Sequence, residues 1–180
     1  MDASEYLTIK QKLIDSGYSD EIDWSENVAA PETPMQFFIQ YGWVVVNSGM
    51  KNQVAEKIWD RITEALAEGK SSSAVFGHKG KTEAIDYVFN HRDTIFREYQ
   101  EASDKLAYFE SLPWIGKITK WHLAKNVGMD VCKPDRHLVR IATRYNTDPD
   151  KLCRRLSEET GDRIVTVDMV LWRAANLGRI

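Results

Sequence analysis

The 180-residue chain has only two cysteines, Cys132 and Cys153. Two thiols exclude a disulfide framework and cannot furnish a four-thiolate metal or cluster site. A reducing, intracellular compartment is therefore the expected setting. No apolar run reaches the length of a membrane span, and the opening MDASEYLTIK lacks the pattern of a secretion signal. Val, Ile and Thr are present, but no period-two alternation with hairpin signals accompanies them, so a sheet-based fold is not expected. There is no internal repeat and no low-complexity tract.

What the chain does have is helical periodicity and an ordinary apolar content, 43% with six tryptophans, sufficient for a packed core. Residues 1–34 read as an acidic N-terminal extension: a short helix with Ser4 as cap, ending near Gly17, then a loop closed by Pro31 and Pro34. Residues 35–180 read as the main helical domain. Its first apolar run, from Met35 to Met50, is too short to span a bilayer and suits a buried helix, broken by Asn47-Ser48-Gly49. Val54, Ile58, Ile62 and Leu66 then recur at fourfold spacing before Gly69. Two helices are expected between Thr82 and Leu112, and another closes at Gly128. One carries Pro134 in its first turn, one ends at Gly161, and a last one contains Asp168 and Trp172. The expected fold is all-α, with about eight or nine short helices.

Charge is unevenly spread. Between Leu112 and Tyr145 seven Lys or Arg face only Asp130 and Asp135, a local +5 in a chain of net charge −3, which leaves −8 elsewhere. Residues 1–30 hold no cation beyond Lys10 and Lys12. Such a patch suits a localised anionic partner, although a solvated basic face would look the same. The patch opens with Leu112-Pro113-Trp114-Ile115-Gly116 between two helical segments. A tight Pro/Gly turn presents backbone N–H groups beside the positive end of the next helix, where a phosphate can dock, and Lys117 and Lys120 add charge. Those contacts position a nucleic acid without reading its sequence.

Together with the residues that follow, this stretch resembles the helix-hairpin-helix DNA glycosylase superfamily (HhH-GPD), whose members excise damaged or mismatched bases. The matching residues are Leu112, Pro113, Ile115 and Gly116, then Gly128, Pro134, Asp135 and His137. The resemblance implies an all-α HhH-GPD-like fold and DNA, as duplex, for a partner. It implies that Asp135 is the catalytic carboxylate and that Trp114, Ile115, Gly116, Lys117 and Lys120 bind DNA. It also gives the Asn47, Ser48 and Met50 loop as a wedge into the duplex, with His137 as an auxiliary. No cofactor is expected, apart from a monovalent cation at the hairpin.

The chain departs from the family pattern in three ways. Trp114 replaces the first hairpin glycine, and it either alters the turn or sets a ring against DNA. Ile118 stands where bifunctional members carry the Schiff-base lysine, which makes a monofunctional enzyme the expectation. The spacing to Asp135 is slightly short. Breaking an N-glycosidic bond builds positive charge on the sugar, and one carboxylate beside the anomeric carbon can stabilise it and orient water. The base must first be flipped into a pocket, for which Tyr41, Trp43, Trp121 and Trp172 are the candidate aromatic walls. Asp135 after Pro134 is equally good helix-start chemistry, and Asp168 reads as structural. Two other functions stay open on sequence: a non-catalytic helix-hairpin-helix DNA-binding module, and a helical protein-interaction domain.

Overall fold

Most helix starts follow from local capping chemistry. In the computed structural model, which describes residues 1–180, there are eleven α-helices, one short 3-10 turn at Ser72–Ala74 and no strand. The helices are α1 (Ala3–Ile14), α2 (Ser19–Asn27), α3 (Pro34–Asn47), α4 (Asn52–Ala67), α5 (Lys79–Asn90) and α6 (Arg92–Glu101). They continue as α7 (Lys105–Ser111), α8 (Thr119–Asn126), α9 (Arg136–Arg144), α10 (Pro149–Thr160) and α11 (Ile164–Asn176). Thr33 opens α3 with a reciprocal capping box to Gln36, and Pro34 sits in the first turn. Asp104 caps α7 and Asp148 caps α10 through their side chains.

Three details differ from the sequence reading. Asp2, not Ser4, caps α1. The stretch expected as a loop after Gly17 forms α2, whose acidic first turn at Asp20 and Glu21 complements the helix dipole and whose Ile22 and Ser25 are buried. Residues 82–112 hold three helices rather than two, because the chain turns at His91 and restarts at the Asp104 cap.

The helices form two units. One comprises Met1–Ala30 and Ala124–Ile180, the other Pro31–Leu123, with the seam inside α8. In the first, α11 packs against α1, α2, α9 and α10. Tyr6, Leu13, Ile22, Leu138, Ile141, Leu152, Leu156, Val167 and Leu171 share its core. Residues 1–30, the greater part of the 1–34 segment read from sequence as an extension, supply two helices to this unit. In the second, α3 packs against α4, α5 and α6, and its core is aromatic. Phe37 lies 4.8 Å from Tyr99 and 6.4 Å from Phe109 between ring centroids. Asp162 binds α1 into the first unit by accepting from Tyr6 (2.6 Å) and Lys10 (2.9 Å).

Candidate active site

The hairpin belongs to the second unit. Leu112 and Ile115 are buried and root it, and the Ile115 N–H closes the turn onto the Leu112 carbonyl at 3.1 Å. The Tyr41 hydroxyl, fully buried beneath, donates to the Pro113 carbonyl at 2.7 Å. Tyr41, expected among the pocket aromatics, is thus a core residue that braces the hairpin. Its burial pushes the phenol well above its ordinary range. Gly116 N–H donates to Thr119 Oγ1 at 2.7 Å. Two of the three hairpin amides expected to meet phosphate are therefore engaged internally, and a phosphate at Gly116 would displace the Thr119 hydroxyl. Lys117 is exposed, whereas Lys120 lies 2.5 Å from Glu110 in an ion pair.

Trp114, in place of the usual glycine, adopts φ 63°, a left-handed backbone that bulky residues rarely hold. The turn keeps its shape, and the ring bends back onto its own unit. The loop after α3 lies against it: Asn47, Ser48 and Met50 are half-buried, and Trp114 Nε1 donates to Ser48 Oγ at 3.3 Å. Trp43, Trp121 and Trp172 are each partly buried, and Trp172 packs on the core of the first unit. Lys51 and Lys57 are exposed.

Asp135 belongs to the first unit. Its side chain, 13% exposed, is the N-cap of α9, and Oδ1 accepts the N–H groups of His137 (2.8 Å) and Leu138 (3.2 Å). Pro134 therefore precedes the cap instead of occupying the first helical turn. The helix-start reading of Asp135 holds: the cap uses Oδ1, while Oδ2 lies 3.7 Å from the Lys133 ammonium. Burial pulls the Lys133 amine below its ordinary range; Asp135 opposes that shift and Lys125 adds to it. His137 Nδ1 is buried with no protein partner.

Behind this cap, charged side chains pin the segment from Gly128 to Asp135. Asp168 is 1% exposed and accepts the Lys125 ammonium at one oxygen and the Lys133 N–H, at 2.5 Å, at the other. Asp130 accepts the Val165 N–H at the start of α11 (3.0 Å). Arg163 bridges the carbonyls of Val28 and Gly128, each at 3.0 Å. Gly128 has φ +83°, and a Cβ there would come within 2.6 Å of the Ala29 carbonyl carbon. Lys125, Asp130 and Arg163 were not among the sequence candidates. Asp168, an acid in an apolar helix, gave the one visible signal of this network. No group of three or more His, Cys, Asp or Glu side chains could hold a metal ion, and no helix is long and apolar enough to cross a membrane.

Comparison with protein-family models gives no match, and neither does comparison with curated proteins. Among solved structures, the chain is similar to the Methanocaldococcus jannaschii 8-oxoguanine glycosylase/lyase in complex with a 15mer DNA containing 8-oxoguanine. Identity is 18%, the match covers 96% of this chain and 98% of that one, and the TM-score is 0.67. It is similar also to the 8-oxoguanine DNA glycosylase of the same organism, at 17% identity, 98% and 97% coverage and a TM-score of 0.67. The departures at Trp114 and Ile118 thus sit on a backbone that follows such an enzyme along nearly its whole length, and the chain has the all-helical fold of the helix-hairpin-helix DNA glycosylases.

Proposed function

We propose that the protein is a DNA N-glycosylase that hydrolyses the bond between deoxyribose and a flipped, damaged or modified base. The observation that carries the reading is Asp135. One carboxylate oxygen is immobilised by two amides of α9 and the other is directed at a cation, on a fold shared with 8-oxoguanine glycosylases. A carboxylate locked in this way needs no reorganisation as positive charge grows on the sugar, and it can orient the attacking water. Lys117 and the Trp114 and Gly116 amides, the latter on displacing the Thr119 hydroxyl, hold the phosphate strand of a duplex. His137, whose Nδ1 has no protein partner, orients the water or a phosphate oxygen. The enzyme acts as a monofunctional hydrolase, because Ile118 leaves the hairpin helix without an amine at the nucleophile position.

Lys133 supports a second reading. Its amine has a lowered proton affinity and sits 3.7 Å from Asp135. After base loss the sugar opens to an aldehyde, which such an amine can attack to form an imine with release of water. Loss of a C2′ proton would then expel the 3′ phosphate.

The test is a single-turnover assay on duplexes that each carry one modified base, with 8-oxoguanine in the panel. Asn caps a helix about as well as Asp. Asp135→Asn is therefore expected to fold and to bind DNA while cleaving about 10²–10⁴-fold more slowly. A wild-type rate in this variant refutes the assignment of Asp135. Duplex binding without base loss across the panel points to the non-catalytic DNA-binding module. Strand breaks that need no alkali and vanish in Lys133→Gln select the lyase reading over the monofunctional one.

A further inference from the structure

Trp114 is held where its backbone is least comfortable. The other non-glycine residue at positive φ is Asn146, a type that tolerates it, whereas an indole at φ 63° is strained. Such strain persists only where surrounding contacts over-determine it, and they do so here. The ring lies directly on Gly80, where a Cβ would come within 2.5 Å of the indole carbons. His78 meets it edge-on, with ring centroids 5.1 Å apart and an 83° tilt. The indole N–H donates to Ser48 Oγ at 3.3 Å. Ser48 is itself fixed twice more: its hydroxyl donates to the Val45 carbonyl at 2.8 Å, and its carbonyl accepts Lys81 Nζ at 2.6 Å. Lys81 also donates to Val46 O at 2.9 Å and is only 3% exposed, so a buried ammonium ties off the C-terminal carbonyls of α3. Three segments far apart in sequence, the loop after α3, the start of α5 and the hairpin, thus meet at one ring that stays 45% exposed.

We propose that Trp114 is a positioning residue that clamps the Asn47–Met50 loop to the hairpin, so that both meet a DNA duplex as one rigid surface. The proposal rests on the DNA-binding reading of the hairpin given above. Glycine at this position fits the backbone better but cannot hold the loop. The indole therefore exchanges local strain for a preorganised loop, and a loop that must enter a base stack gains from having its ordering completed before binding.

Trp114→Gly separates clamping from turn geometry, because glycine accepts the observed φ. In the free protein, the Met50 N–H that bonds to the Asn47 carbonyl (3.1 Å) reports the loop, and the Ile115 N–H to Leu112 O (3.1 Å) reports the hairpin. In Trp114→Gly, Met50 hydrogen exchange is expected to be at least about tenfold faster, the equivalent of one lost interaction, with Ile115 little changed. The variant is then compared with wild type at saturation with a duplex carrying 2-aminopurine, so that any change of affinity at the hairpin drops out. It is expected to lose most of the fluorescence gain that marks unstacking. Trp114→Phe, which keeps a ring on Gly80 without the N–H, is expected to restore most of both signals. Should Trp114→Gly fail to fold, Trp114→Asn, which tolerates the same φ and takes the ring off Gly80, carries the same comparison.

Unchanged Met50 exchange overturns the clamp. Faster exchange with undiminished unstacking overturns its role on DNA. A wild type that binds no duplex refutes the DNA-binding reading instead, and the exchange result still decides whether the clamp exists.

Discussion

Replacing Asp168 with asparagine tests the network behind Asp135 most directly. Asn keeps the shape of the side chain and one carbonyl acceptor, but it removes the negative charge that faces Lys125. Lys125 is 6% exposed, so its ammonium would stay in low dielectric without a counter-ion. Breaking one side of a buried pair costs about 3–5 kcal/mol, most of it the penalty of the stranded charge. For a chain of this length each kcal/mol shifts the midpoint by about 2–4 °C, so Asp168→Asn is expected to lower Tm by about 10 °C. The double variant Lys125→Met, Asp168→Leu strands no charge and leaves only the Lys133 N–H without its acceptor, a loss of about 1–3 kcal/mol. It is therefore expected to be more stable than Asp168→Asn alone. Urea titrations followed by tryptophan fluorescence and by circular dichroism measure both, and coincident curves license the two-state treatment. A cost below about 1 kcal/mol for Asp168→Asn, or a double variant that sums the two single losses, would refute the buried-charge account.

Two further outcomes follow from the charges. Lys117 is exposed while Lys120 is held by Glu110, so Lys117→Ala is expected to flatten the plot of log affinity against log salt by about 0.9. Lys120→Ala should change that slope by clearly less, and equal losses would show that Glu110 releases Lys120 on binding. Burial raises the phenols of Tyr6 and Tyr41 above their ordinary value of 10.0, so the native state keeps protons there that the unfolded chain has lost. Their contribution to stability is complete below pH 10 and is lost as pH rises further. Lys81 and Lys133, lowered by burial, act with the opposite sign on the way up to 10.5. Urea midpoints are therefore expected to fall only beyond about pH 10, with part of the phenolate absorbance appearing together with unfolding. Phenolate formation by all seven tyrosines in the folded chain would contradict this.

The hairpin was legible because its signals are local: Pro113 and Gly116 for the turn, buried Leu112 and Ile115 as its roots, and Gly128 as the stop after α8. The cap at Asp135 was legible for the same reason, since it acts on amides two and three residues away. Short-range chemistry of this kind is written in the order of residues and survives without an alignment. Other features were decided only by tertiary structure. The segment forming α2 carries acids in its first turn, but its burial depends on α11, more than a hundred residues later. No spacing rule pairs Lys125 with Asp168, or sends Arg163 back to Val28 and Gly128, because such partners are chosen by packing. Trp114 shows the division within a single residue. The sequence shows an indole where the motif has glycine; that the indole rests on Gly80 and holds Ser48 is known only once α3, α5 and the hairpin share one core.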